Sequence, residues 1–232
     1  MNDRTVLRYG RDRWANALGP DGTSAQTDPL VARFNAAFFS VMDPYLDRHL
    51  RAYKGQLFRD VPGEVVEIGA GTGANFRYYT PGTRVIAVEP NVAMHAALRR
   101  RARSCGIELE IRPSGAEQIA LDDGLAQAVV STLVLCTVRD PERVLREVQR
   151  VLAPGGRYFF LEHVAARDGT VTRIAQRVVR RPWAWVFEGC SCERRLEQVI
   201  GRNGFTDVIL ERHRLRTPFL PFNTQISGVA TK

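Results

Sequence analysis

The sequence predicts an α/β protein with a mostly parallel sheet and helices on both of its faces. Two observations carry this. Short runs rich in β-branched residues alternate with segments whose apolar residues recur at helical spacing, the pattern of parallel strands joined by crossover helices. The first clear strand also runs straight into a glycine-rich turn, Gly69-Ala70-Gly71-Thr72-Gly73, where such sheets bring backbone against a nucleotide.

Taken in order, residues 1–28 are polar, carry the turn Gly19-Pro20-Asp21-Gly22 and are expected to be weakly ordered or draped over the surface. From residue 29 to about 59, Val31, Phe34, Phe38, Val41, Met42, Tyr45, Leu46 and Leu50 fall at helical spacing. They predict one or two helices, so that residues 1–60 form an N-terminal extension and helical lid over a main domain of residues 61–232. Strands are predicted at 64–68, 84–88, 108–112, 128–133, 157–161 and 207–211, with a seventh at 225–231. A short helix should follow the glycine turn to residue 79, and others span 91–104 and 141–152, the last stopped by Pro154-Gly155-Gly156. A helical insert over about 164–203 should be helical from 170 and break at Pro182.

With 232 residues and 44% apolar content, the chain can bury one full core. No apolar run reaches the roughly 18–20 residues of a membrane span, and residues 1–10 lack a secretory signal's apolar stretch, so a cytoplasmic protein without a membrane span is expected. Four cysteines (Cys105, Cys136, Cys190, Cys192) do not make a disulfide framework. The C-x-C of Cys190 and Cys192 has no second Cys/His cluster in the sequence, so no metal is expected. The net charge is +8, but its arginines are dispersed; solvated helix faces explain them better than a nucleic-acid patch.

Residues 69–74 satisfy G-x-G-x-x-G/A, a dinucleotide fingerprint that is weak when alone. Glu67, two residues before Gly69, would oppose a pyrophosphate and suit an ammonium and a sulfonium instead. Glu89, at the end of the second strand, can accept both hydroxyls of a ribose. That feature serves NAD and S-adenosylmethionine equally.

Four segments taken together decide between them: Glu67-x-Gly69-x-Gly71-x-Gly73, Val88-Glu89-Pro90, Gly115-Ala116-Glu117 and Arg150-Val151-Leu152-Ala153-Pro154-Gly155-Gly156. This ordered set resembles the class I S-adenosylmethionine-dependent methyltransferases. The resemblance implies a Rossmann-like, seven-stranded sheet with an antiparallel last strand, S-adenosylmethionine as cofactor, and a cofactor site of Glu67, Gly69, Ala70, Gly71, Gly73, Asn75, Glu89, Pro90, Gly115, Ala116, Glu117, Thr132 and Leu133. Many members carry Asp where Gly115 stands, to bond the adenine amine; here that contact must come from backbone or Glu117.

Gly71–Phe76, Thr132–Val138, Glu162-His163-Val164, Trp183 with Gly189-Cys190, and Arg194 are further similar to the methyltransferase-like thiol S-methyltransferases and their bacterial relatives. Those relatives often carry Tyr-Asp after Ala-Arg-Phe, whereas Ala32-Arg33-Phe34 is followed here by Asn35-Ala36. The implied reaction moves a methyl group to a small, largely apolar acceptor, with a thiol sulfur preferred over an amine, hydroxyl or carbon of a metabolite, quinone or lipid. A non-catalytic cofactor-binding protein is the reading from another class. His163 is the candidate base and Glu162 its orienting partner, both at the carboxyl end of the fifth strand. Phe38, Trp183, Cys190 and Arg194 are candidates for the acceptor pocket, although packing of Cys190 against Trp183 is the simpler account of that cysteine. The expected partner is a small-molecule acceptor and not nucleic acid; a homodimer is left open.

Overall fold

In the computed structural model, which describes residues 3–7, 29–187 and 189–232, the β-branched runs form the strands of one sheet, and those at its centre are buried. The chain order is β1 (Asp3–Leu7), α1 (Pro29–Leu57), β2 (Glu64–Ile68), β3 (Arg84–Val88), α2 (Val92–Cys105), β4 (Glu108–Arg112), β5 (Ala126–Thr132), α3 (Pro141–Val151), β6 (Leu152–His163), α4 (Val171–Val186), α5 (Leu196–Arg202), β7 (Asp207–Arg214) and β8 (Thr224–Thr231). The sheet runs β1-β7-β8-β6-β5-β2-β3-β4. Strands β2 to β6 pair in parallel, while β8 lies antiparallel between β6 and β7. Strands β2 to β8 therefore make the expected seven-stranded sheet with an antiparallel last strand. One core cluster joins Ile68, Val129, Phe160 and Leu161 to Leu50 of α1 and to Leu145 and Val148 of α3; the other joins Val65, Val85, Ala128 and Phe159 to Leu98 of α2.

Several elements depart from the sequence pattern, each for a local reason. β1 adds an eighth strand antiparallel to β7, where residues 1–28 were expected to be weakly ordered or draped; residues 1, 2 and 8–28 lie outside the described residues. The segment after the glycine turn makes only a 3₁₀ turn at Phe76–Tyr78. Helical backbone can start no earlier than residue 74, because Gly71 and Gly73 both take positive φ, and extended backbone at Tyr79 ends it. β6 begins at Leu152 and runs through Pro154-Gly155-Gly156, with a register shift against β5 between Ala126 and Ala128. Pro182 does not break α4. The carbonyl it leaves without a donor belongs to Val178, which is exposed and can turn to water. The helix stops instead before Gly189, at φ +84°.

Gly228 of β8 sits where the sheet leaves no room: a Cβ there would collide with the Ile209 carbonyl oxygen and approach Phe160 Cζ to 2.7 Å. Gly228→Ala should lower unfolding free energy in urea by about 2–3 kcal/mol, the range of an overpacked core. Wild-type stability would show that the β7–β8 pair is not held this closely.

Candidate active site

The carboxyl ends of β2, β3 and β5 open onto one cleft of about 1860 Å³, closed on its far side by α1. Glu67 of β2, 1% exposed, lies at its base. Its Oε1 accepts a hydrogen bond from Asn75 Nδ2 at 3.0 Å and its Oε2 one from the Tyr79 hydroxyl at 2.7 Å. Burial nevertheless pushes its pKa up to about 7. Asn75 Nδ2 is shared with Thr132 Oγ1 at 3.0 Å, which ties the glycine loop to the end of β5. Asn75 Oδ1 is buried with no hydrogen-bond partner among the described residues.

The three glycines do different work. A Cβ on Gly69 would lie 2.5 Å from Val134 Cγ2, so bare backbone is what lets this turn pack under the 134 loop. A Cβ on Gly73 would meet the Phe76 ring at 3.0 Å, and Gly73 does not border the cleft. Gly71 does border it, and a Cβ there would meet nothing nearer than Met94 Sδ at 3.8 Å. Its N–H donates to Glu89 Oε2 at 2.8 Å, and Asn91 N–H donates to Oε1 at 2.8 Å. Two backbone donors thus fix the carboxylate at the tip of β3, on the cleft wall beside Pro90.

Farther along lie Ser114, Gly115, Ala116 and Glu117. Glu117 Oε1 accepts the Arg139 N–H at 3.1 Å, while its Oε2 lies 3.3 Å from where a Cβ of residue 115 would stand. The carboxylate of Glu117 therefore fills the space that an Asp at 115 would use. Ser114 Oγ is buried with no partner among the described residues, an acceptor that sequence reasoning missed.

The other wall comes from α1, where Leu46, Leu50 and Lys54 follow at intervals of four and share a face. Lys54 is 3% exposed, and burial lowers its pKa against the pull of Asp43, Asp47 and Glu67. Its ammonium is 5.9 Å from the centre of the Tyr78 ring. Asp43, also buried on this wall, is taken up by Arg77 at 3.0 Å and Arg101 at 2.9 Å. Sequence reasoning passed over Lys54, although a signal was there: it is one of two lysines among 33 basic residues, placed on the apolar stripe of its helix.

The expected catalytic pair lies behind the wall, not on it. Glu162 and His163 end β6 with no exposed surface, and neither borders the cleft. Glu162 accepts from Ser131 Oγ at 2.8 Å, Val134 N–H at 3.2 Å and Cys136 N–H at 3.4 Å, so it holds the turn after β5. That turn contains Leu133, whose φ of +60° marks it out among non-glycine residues described. His163 donates from Nε2 to the Pro221 carbonyl at 2.6 Å and turns Nδ1 to Cys190 Sγ at 3.5 Å. So engaged, the ring stands behind the cleft lining and not on it.

The expected acceptor residues gather in the same layer. None of Phe38, Trp183, Cys190 and Arg194 borders the cleft. Phe38 meets Phe187 edge-on at 5.5 Å, Phe187 meets Trp183 at 4.2 Å, and Trp183 meets His163 at 5.9 Å. Arg194 donates to the carbonyls of Leu135 and Val138, gripping the turn from outside. Cys190 does gain a cluster that the sequence did not reveal: Cys136 and His163 join it, whereas Cys192 Sγ turns to the Gln176 carbonyl at 3.3 Å.

A glycine turn under β2, an acid at the tip of β3 and an acceptor-lined stretch after β4 define a class I S-adenosylmethionine-dependent methyltransferase. A family model described as "Methyltransferase domain" matches residues 66–160. The chain is 34% identical over 215 residues to the thiol S-methyltransferase TMT1B of Homo sapiens, covering 88% of each chain. It is 36% identical over 171 residues to TMT1A of Homo sapiens, covering 72% of this chain and 70% of that one. A crystal structure from Thermotoga maritima, titled a possible histamine N-methyltransferase, has the same fold, with a TM-score of 0.66 at 18% identity over 88% of this chain and 98% of that one. The chain belongs to the family of the TMT1A and TMT1B methyltransferases and is an S-adenosylmethionine-dependent enzyme. Among the described residues, no helix is long and apolar enough to cross a membrane.

The cleft fits that cofactor on three observations: bare backbone at Gly71, and two buried orphan acceptors, Asn75 Oδ1 and Ser114 Oγ, at opposite ends. Glu162, like Glu67, has its pKa pushed up to about 7 by burial. An acid with a raised folded pKa contributes stability that is complete below its unfolded value and lost as pH rises through about 7. Replacement by Gln removes one such loss. The stability of Glu162→Gln relative to wild type should therefore shift in the variant's favour by roughly 3 kcal/mol between pH 5 and pH 8. Denaturant unfolding across that range checks this, and a pH-independent difference contradicts it.

Proposed function

We propose that this enzyme transfers a methyl group from S-adenosylmethionine to the sulfur of a small, largely apolar thiol. The observation that carries the reading is the match to thiol S-methyltransferases over 88% of both chains. The cleft supports it: beyond the glycine turn, its walls are Leu46 and Leu50 of α1 and Leu133, Val134 and Val138 of the turn after β5. Such a wall excludes water and rewards apolar groups. The proposed setting is the cytoplasm, with a small-molecule acceptor and no nucleic-acid substrate.

S-adenosylmethionine, when bound, supplies a methyl group made reactive by a positively charged sulfur. The chain's residues hold and orient it. In this reading Glu67 and Asn75 Oδ1 take the ammonium of the methionine tail, and Lys54, the buried cation on the facing wall, takes the carboxylate. Gly69, Ala70 and Gly71 lie along the tail, while Gly73 shapes the turn from below. Glu89 and Pro90 hold the ribose; Ser114, Gly115, Ala116 and Glu117 receive the adenine. Thr132 and Leu133 border the methyl group. Glu162, His163, Trp183, Cys190 and Arg194 act as positioning residues, fixing the turn after β5, and α1 with Phe38 serves as lid.

The acceptor must still lose its proton. With His163 turned away from the cleft, the ionised thiol is drawn from solution. A free thiol ionises near pH 8.5, so kcat/KM should rise with pH and follow the acceptor's own pKa. A pH profile that is the same for acceptors of different pKa would restore a base on the protein, with His163 the candidate.

The direct test is incubation with methyl-labelled S-adenosylmethionine and matched thiols, amines and phenols, with products identified by mass spectrometry. Thioethers should form at least tenfold faster than any other product. Methylation of nitrogen, oxygen or carbon alone would contradict the thiol reading, and tight cofactor binding without product would favour a non-catalytic protein. Lys54→Met should weaken S-adenosylhomocysteine binding about tenfold or more, the scale of one hydrogen bond to a charged group, with partial rescue in Lys54→Arg. Unchanged affinity in titration calorimetry would remove Lys54 from the site.

A further inference from the structure

Behind the cleft wall, Cys136, His163 and Cys190 are brought together from three separate parts of the chain. Two sulfurs and a ring nitrogen lie within 4.8 Å of one another, and all three residues are buried. The cysteines are neighbours through the backbone as well: the peptide N–H that follows Cys190, that of Ser191, donates to the Cys136 carbonyl at 2.7 Å. To form a disulfide the two sulfurs must close from within 4.8 Å to about 2.05 Å.

The polar groups around the pair treat the two sulfurs unequally. His163 commits its Nε2 proton to Pro221, where Gln176 Nε2 also donates at 3.0 Å, so Nδ1 offers its lone pair to Cys190. The indole N–H of Trp183, whose ring stands 5.9 Å from that of His163, is buried with no hydrogen-bond partner among the described residues. The Cys136 thiol and then His163 pull the Cys190 pKa down to about 5, while Cys190 and burial push that of Cys136 well up. One sulfur is the nucleophile and its neighbour keeps its proton, the pairing that thiol–disulfide exchange requires. Gly189 and Thr137, each next in the chain to one of the cysteines, line the cleft, and Cys190, 6% exposed against 1% for Cys136, is the sulfur nearer to solvent once that thin wall opens.

We propose that Cys190 and Cys136 are a redox-active dithiol that small disulfides entering the cleft convert to a reversible Cys136–Cys190 disulfide. Cys190 passes its proton to His163 Nδ1 and, as thiolate, attacks one sulfur of R–S–S–R; that S–S bond breaks, a Cys190–S–S–R bond forms, and the RS⁻ that leaves takes the proton back from Nδ1 as RSH. Cys136 gives its proton to His163 Nδ1 and attacks Cys190 Sγ, forming the protein disulfide and releasing the second RS⁻, which takes up that proton as RSH. The small disulfide is reduced by two electrons and the dithiol is oxidised by two. Excess thiol reverses both steps. The new bond would clamp the turn carrying Val134, Thr137 and Val138, all on the cleft wall, to the segment after α4.

Treatment of the purified enzyme with hydroxyethyl disulfide, followed by alkylation and peptide mass spectrometry, tests this without reference to any methyl acceptor. The expected product joins the Cys136 and Cys190 peptides, disappears with dithiothreitol, and forms before Cys105 reacts, although Cys105 is the more exposed thiol. Cys136→Ser should stop at the mixed disulfide on Cys190, and Cys190→Ser should leave Cys136 unmodified. Reaction confined to Cys105 or Cys192 would overturn the proposal. So would one equivalent of zinc, retained by the untreated enzyme and lost in Cys190→Ser, because it would make the cluster a metal site.

Discussion

Two carboxylates taken out of water at the ends of parallel strands set the shape of everything around them. A buried carboxylate must find donors in the protein, and Glu67 and Glu162 find theirs in the loops that form the cleft. Glu67 draws in Asn75 and Tyr79, which curls the glycine turn back over β2. Glu162 draws in Ser131 and the backbone of residues 134 and 136, which pulls the turn after β5 into its unusual course through Leu133. The walls of the site are in effect the solvation shells of these two charges. This also explains why an acid so close to the reaction need not touch the reactants: its work is done on the backbone.

Strands β2 and β3 were legible because each is short, buried beyond its first residue and bounded by turn residues. β4, a partly exposed edge strand, is bounded in the same way; 64–68, 84–88 and 108–112 are found at those bounds. Prolines and glycines misled where the sheet or solvent absorbed them. Pro154-Gly155-Gly156 ends a helix as expected but also enters β6, since a bulge accommodates the extra residue. Pro182 is tolerated on an exposed stretch of α4, where Val178, four residues back, lies open to solvent. β1 had no readable signal: a polar five-residue segment becomes a strand only when β7 offers it an edge.

Within the site, legibility followed the backbone. The glycines, Glu89 and Glu117 could be read because each follows closely on the end of its own strand, β2, β3 or β4, and these strands end side by side. Residues from distant segments could not be sorted in this way. Lys54 faces the cleft and His163 turns away from it, and nothing local distinguishes them; the choice depends on how α1 crosses the strand ends and on Pro221 offering a carbonyl to the ring. The same holds for the aromatic residues, which form one layer from Phe38 to Phe222 behind the turn and stiffen it.

The division of labour is then plain: a rigid floor made by buried acids, a cofactor seat made by backbone and a few fixed polar atoms, and an apolar wall from α1 and the turn after β5. The claim beneath this is that the cleft orients the cofactor by its two ends, with its sulfur directed at the apolar wall. A crystal structure with S-adenosylhomocysteine tests it most directly. The account predicts the ribose on Glu89, the amino-acid tail between Asn75 and Lys54, and the sulfur facing Leu46, Leu50 and Leu133. A tail directed toward Glu117, or a sulfur facing away from α1, would contradict it.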